Sequence, residues 1–95
     1  MFVIILTYRV GLEKIDAVLQ DHVAWLDQQY ADGVFLASGR RIPRVGGVIL
    51  AKDVTPAELE ERLDLDPFRR HGLADYAVTE FIPSRTAQGF ESLLP

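Results

Sequence analysis

The chain contains no cysteine, no excess of basic charge and no long apolar run. The lack of cysteine excludes disulfide frameworks, thiol nucleophiles and thiolate metal sites. No apolar stretch approaches the roughly 20 residues that span a bilayer, so we expect no membrane association. Lys and Arg number 10 against 14 Asp and Glu, a net charge of −4, which disfavours general nucleic-acid binding. Since neither metal-ligand spacing nor a glycine-rich phosphate loop occurs, we predict no metal and no cofactor.

The composition is that of a globular chain. Its 95 residues are 48% hydrophobic, which is enough for one modest core and predicts a single domain over residues 1–95. The N-terminus begins directly with a strand-like run and has no basic region or small-residue cleavage site, so we expect no signal peptide. Together with the absence of cysteine, this favours a cytoplasmic location.

Hydrophobic periodicity and turn signals predict four strands and two helices. The expected strands are Phe2–Arg9, Val34–Ser38, Gly47–Ala51 and Tyr76–Ile82, and the expected helices are Glu13–Ala31 and Pro56–Leu63. The inward stripe of the first helix is predicted to contain Ile15, Val18, Leu19, His22, Leu26 and Tyr30. The second helix has a clear start, because Thr55 and Glu58 have the spacing of a capping box.

The order β-α-β-β-α-β is that of a ferredoxin-like α+β fold. Two helices cover one face of a four-stranded sheet, while the strands are apolar on both faces. Such a large apolar patch is rare on a monomer. We therefore predict a homodimer formed through the sheet face without helices. The tail over residues 84–95 contains Phe90, Leu93 and Leu94, which need an apolar surface to pack on, and the partner is one such surface.

Two residues are candidates for chemistry. His22 falls on the inward stripe of the first helix, where a titratable ring is partly removed from water. Asp66 stands directly before Pro67, where the second helix ends. A carboxylate that orients an imidazole would make the pair a general acid/base dyad. The alternatives are a core histidine with one hydrogen bond and an aspartate that starts a turn.

Other polar residues are candidates for substrate binding. Ser38 and Gly39 end the second strand, where glycine allows a ligand close to the backbone, although a bend before the hairpin is an equal interpretation. Arg9 ends the first strand and faces either a pocket or the dimer seam. Arg40 belongs to a group of hairpin-loop arginines, Arg40, Arg41 and Arg44, which either clamp an anion or lie solvated.

Three segments, in this order and spacing, resemble the YciI-like (YCII-related) family. They are Asp21–Leu26, Gly33–Gly39 and Asp66–Phe68, and the resemblance covers about residues 2–83. It implies a ferredoxin-like fold that dimerises as an α+β barrel, with a pocket dyad at the positions of His22 and Asp66 and with Ser38 beside it. Most members have no assigned reaction, and one relative is a dehydrochlorinase of a chlorinated aromatic. The chain departs from the family at Arg40, where Ser-Gly-Pro is common.

Together these observations predict a cofactor-free enzyme that acts on a small anionic or aromatic molecule. His22 is the general acid/base, Asp66 orients it, and the substrate contacts Ser38, Gly39, Arg9 and Arg40. The expected reaction is an elimination, such as dehydrochlorination, or an isomerisation, with hydrolysis as a further type. One alternative is a non-catalytic ligand-binding or interaction module. Another is a barrel of the oxygenase or haem-degrading kind, with His22 as axial ligand.

Overall fold

The computed structural model describes residues 1–95 and places four antiparallel strands in one sheet, in the order β2-β3-β1-β4. The strands are β1 (Phe2–Tyr8), β2 (Phe35–Arg40), β3 (Gly46–Ala51) and β4 (Ala74–Glu80). The helices are α1 (Leu12–Ala31), α2 (Pro56–Asp64) and α3 (Pro67–Arg70), and a 3₁₀ turn lies at Glu91–Leu93. This element order and strand order confirm the predicted ferredoxin-like α+β fold, with α3 as an addition.

The alternation of β1 assigns its two faces. Phe2, Ile4 and Leu6 are almost completely buried beneath the helices, because successive side chains of a strand point to opposite sides. Ile5 faces the other way and is 40% exposed. The strand register places further apolar residues on the same side of the sheet as Ile5. We call this side the open face, and its apolar residues are Val3, Ile5, Ala37, Val48, Leu50 and Ala77. The apolar second face is therefore present, while the dimer that it predicts stays a prediction.

Helix α1 is rotated relative to the predicted stripe. Leu19 and Tyr30 are 37% and 39% exposed, whereas Trp25 and Gln29 are buried. The cause is that α2 lies beside α1, so that the Trp25 indole donates to the carbonyl of Arg62 at 3.0 Å. The prediction from the sequence pattern assumes that every apolar side chain of the α1 stripe contacts the sheet. It is therefore wrong for the side chains that face a neighbouring helix or a cavity.

Helix α2 begins as predicted, and the segment after it differs from the prediction. Thr55 Oγ1 accepts from the Glu58 N–H at 3.1 Å, and the Glu58 carboxylate accepts from the Thr55 N–H at 3.2 Å. Helix α2 ends at Asp64, and Asp66, which the sequence predicts to end this helix, is the N-cap of α3, a four-residue helix that the sequence pattern does not indicate. Strand β4 starts at Ala74, before the predicted Tyr76, because Ala74 and Asp75 pair with Tyr8 and Thr7 of β1.

The C-terminal tail runs beyond β4 to the 3₁₀ turn. Lys52 Nζ donates to the Ser92 carbonyl at 3.4 Å, and Phe90 is 57% exposed. A contact between this tail and a partner stays a prediction. None of the helices combines the length and hydropathy required to cross a bilayer.

Candidate active site

His22 and Asp66, which lie 44 positions apart in the chain, form a buried pair. The Nδ1 atom of His22 lies 2.8 Å from Oδ1 of Asp66. The Asp66 side chain has no exposed surface, and that of His22 is 11% exposed. Helix α1 supplies the imidazole from its buried side, and the start of α3 supplies the carboxylate. The predicted dyad contact is confirmed.

Local folding explains the position of Asp66. It is the N-cap of α3, and its Oδ1 accepts a hydrogen bond from the Phe68 N–H at 3.0 Å, as aspartate does at helix starts. Its Oδ2 accepts a short hydrogen bond from the Tyr76 hydroxyl of β4. A carboxylate without access to water needs such donors, because burial without them is costly.

Tyr76 is the donor in its contact with Asp66. Burial, and then the negative charge of Asp66, raise the pKa of the Tyr76 hydroxyl above its usual range. The hydroxyl therefore remains protonated. Both oxygens of Asp66 therefore accept hydrogen bonds from donors that the fold has fixed, Oδ1 from the Phe68 N–H and Oδ2 from the Tyr76 hydroxyl.

This network assigns the tautomer of His22. Since Asp66 accepts at Oδ1, the imidazole donates from Nδ1–H, and the lone pair of the neutral ring lies at Nε2. The Nε2 atom makes no hydrogen bond within the chain. No buried side-chain nitrogen or oxygen lacks a partner, so Nε2 must be accessible to solvent. An unpaired, accessible imidazole nitrogen can accept a proton from a bound molecule.

A cavity of about 170 Å³ adjoins His22. It lies between α1 and the sheet, and its lining is Leu6, Tyr8, Leu19, His22, Val23, Leu26, Ser38, Gly39, Arg40, Gly46, Gly47, Val48, Ile49 and Phe68. A cavity of roughly 150 Å³ holds benzene. This one therefore has room for a single ring and is too small for a haem macrocycle, which disfavours the haem-binding alternative.

Three of the four residues predicted to bind substrate line the cavity. Ser38, Gly39 and Arg40 line it beside His22, and the Ser38 hydroxyl lies 2.6 Å from that of Tyr30. Arg9 does not line it. Its guanidinium lies 3.7 Å from Asp75 and is 58% exposed, because successive residues point to opposite sides of the sheet and Tyr8, not Arg9, faces the cavity.

The three hairpin-loop arginines do not form one anion clamp. Arg41 donates to Thr7 Oγ1 at 2.9 Å, and Thr7 points away from the helices. Arg44 donates to Asp16 of α1 at 2.5 Å. Only Arg40 reaches the cavity.

Sequence reasoning misses Tyr76, Phe68 and Tyr8. It predicts Tyr76 only as a strand residue, and Phe68 enters only through a family motif. The contact of Tyr76 with Asp66 and that of Phe68 with His22 both depend on α3. The position of this helix determines which side of β4 meets the carboxylate. The alternation of β1 does group Tyr8 with Leu6 on the helix-covered face, which is the available signal for a cavity residue.

Comparisons with known proteins agree with this fold and identify the family. The chain matches the YCII-related domain over residues 1–82 and belongs to that family. Among solved structures, it is similar to 5-chloro-2-hydroxyhydroquinone dehydrochlorinase (TftG) from Burkholderia phenoliruptrix AC1100, in complex with 2,5-dihydroxybenzoquinone. The TM-score is 0.74 at 20% identity, with 84% of this chain and 91% of that chain covered. This likeness supports the fold. Comparison with curated proteins gave no match.

Proposed function

We propose that the chain is a cofactor-free small-molecule enzyme in which His22 acts as the general base. One observation carries the proposal: Nδ1 of His22 is bound to the fully buried Asp66, while Nε2 is unpaired beside a ring-sized cavity. The carboxylate selects the tautomer, and the cavity brings a substrate to the free nitrogen.

The proposed reaction begins with transfer of a proton from the substrate to Nε2 of His22. The electron pair left on the substrate then expels a leaving group from the neighbouring atom, or the proton returns at another position. The first course is an elimination and the second an isomerisation. The carboxylate of Asp66 stabilises the imidazolium that forms, and a base placed in this way contributes roughly 10²–10⁴-fold in rate.

The structural neighbour favours elimination. That protein is a dehydrochlorinase, and its structure contains a bound single-ring quinone. Loss of hydrogen and chloride from a ring requires a base and room for one ring. The His22 cavity offers both, and its walls are mainly apolar.

A ligand-binding module is the second candidate. Its supporting observation is that the Ser38 hydroxyl is already paired with Tyr30, so that beside Nε2 the cavity presents few free polar groups. In this case the dyad would only supply one hydrogen bond to a ligand.

The test compares two histidine variants. Wild type, His22→Gln and His71→Gln are each incubated with a panel of chlorinated hydroquinones, and chloride release is measured. His71 ends α3, is exposed and lies outside the cavity. We expect release by wild type and His71→Gln and a loss of at least about 10²-fold in His22→Gln. Equal rates in all three would refute the His22 mechanism, and binding without turnover would favour the binding module.

A further inference from the structure

The cavity beside His22 has no acidic lining, although the chain is acidic overall. Asp and Glu number 14 against 10 Lys and Arg, yet no carboxylate lines the cavity, and its one permanent charge is Arg40. Asp66 lies behind the imidazole without exposed surface. From this we infer that the cavity selects a single-ring organic anion and that the guanidinium of Arg40 binds the oxyanion. The inference rests on the proposed function, since it names the substrate class of the same site.

Arg40 is free to bind a ligand because it has no partner in the chain. Its neighbours in the loop are occupied, since Arg41 donates to Thr7 and Arg44 to Asp16. Arg40 makes no hydrogen bond and no ion pair with any other side chain. A guanidinium without a carboxylate partner, at the mouth of a cavity, provides paired donors that match the geometry of an oxyanion.

The strand register directs Arg40 toward the cavity. Arg40 lies opposite Gly47 of β3, and Ser38 lies opposite the buried Ile49. Residues two apart share a face of the strand, so Arg40 and Ser38 lie on the helix-covered side. Gly47 has no side chain to occupy the space facing Arg40. If a ring binds against the apolar lining, His22 lies beside it within the cavity and Arg40 lies at the cavity entrance.

The experiment measures binding without requiring turnover. Benzoate and the neutral benzyl alcohol, which are similar in size, are titrated into the intact protein and followed by NMR chemical shifts. Wild type is compared with Arg40→Gln and with Arg85→Gln, which removes the same charge from the exposed tail outside the cavity. All titrations are repeated in the His22→Gln background, so that loss of catalysis and loss of anion selection are seen separately.

We expect wild type and Arg85→Gln to bind benzoate about tenfold more tightly than benzyl alcohol, and Arg40→Gln to lose this preference. Raising the salt concentration should weaken only the benzoate complex. Equal binding of the two compounds by wild type, no benzoate binding at millimolar concentration, or an undiminished preference in Arg40→Gln would each overturn the inference. A preference reduced equally by Arg85→Gln would also overturn it, because net charge alone would then account for the effect.

Discussion

The imidazole of His22 lies flat against the ring of Phe68, with ring centroids 4.0 Å apart and planes inclined by 9°. Phe68 also donates its backbone N–H to Asp66. One residue therefore supports the histidine with its side chain and the aspartate with its main chain. Because Phe68 is only 1% exposed, core packing fixes both members of the dyad.

Replacing Phe68 by Leu should loosen the histidine while leaving the cap on Asp66 intact, because the backbone N–H remains. We expect a loss of stability below the roughly 3–5 kcal/mol typical of a buried Phe→Ala change, together with slower turnover. Urea unfolding and chloride-release rates measure the two effects. Phe81→Leu is the control, since Phe81 is 39% exposed and lies past the end of β4. Wild-type rates in Phe68→Leu would show that the stacking does not position His22.

Asp66→Asn preserves the size of the side chain and removes its charge. Without a carboxylate at Nδ1, the imidazole loses the partner that selects its tautomer, and we expect turnover to fall by a factor on the order of 10²–10⁴. Nitrogen NMR of labelled histidine should show protonated Nδ1 in wild type and a changed tautomer ratio in the variant.

Asp64→Asn provides the matched control for this change. Asp64 is an exposed acid whose nearest cation, Arg69, is 3.7 Å away. The rate and the tautomer of this variant should equal those of wild type. If Asp66→Asn also behaved like wild type, the carboxylate would have no orienting role.

The sequence is sufficient to predict His22 and Asp66 and insufficient to predict the network around them. Helical phase places His22 on the buried side of α1, and the family motif singles out Asp66. The contact of Tyr76 with Asp66 depends on which side of β4 faces α3. That relation is tertiary, and a four-residue helix is too short to produce a periodic signal.

The sequence likewise predicts some of the candidate ligand-binding residues correctly and fails for others. Strand alternation and position are enough for Ser38 and Arg40, which lie on one face of β2. They are not enough for Arg9, whose pairing with Asp75 depends on the neighbouring strand. Charge clustering in the sequence also fails to predict the contacts of the hairpin-loop arginines, because Arg40 lines the cavity while the adjacent Arg41 contacts Thr7 on the other side of the sheet.

Tyr76→Phe should make stability depend less on alkaline pH. The pKa of Tyr76 is higher in the folded chain than its usual value, so its contribution is complete below the unfolded value of about 10 and is lost as pH rises through the folded value. We expect the variant to be less stable by about 1.5–3 kcal/mol near neutral pH, the range for hydrogen bonds to charged groups.

The difference in unfolding free energy between wild type and Tyr76→Phe should shrink above about pH 10, by at most about 1.4 kcal/mol per pH unit. Urea titrations of both proteins between about pH 8 and 11 measure it. Other tyrosines and lysines titrate in both, so only the difference reports on Tyr76. A constant difference across this range would contradict the raised pKa.

The open face leads to the last prediction, a two-fold dimer. Ile5 lies at its centre, paired in register with Val48 on one side and Ala77 on the other. Removing apolar surface from water is worth roughly 25 cal/mol per Å² before association costs, so this face should join a second copy. Sedimentation at micromolar concentration is expected to give twice the 10.7 kDa chain mass. Ile5→Lys should give a monomer, because it places a charge in the interface, whereas Leu65→Lys, at a residue 62% exposed after α2, should leave the dimer intact. A wild-type chain that sediments as a monomer would mean that the open face remains in water.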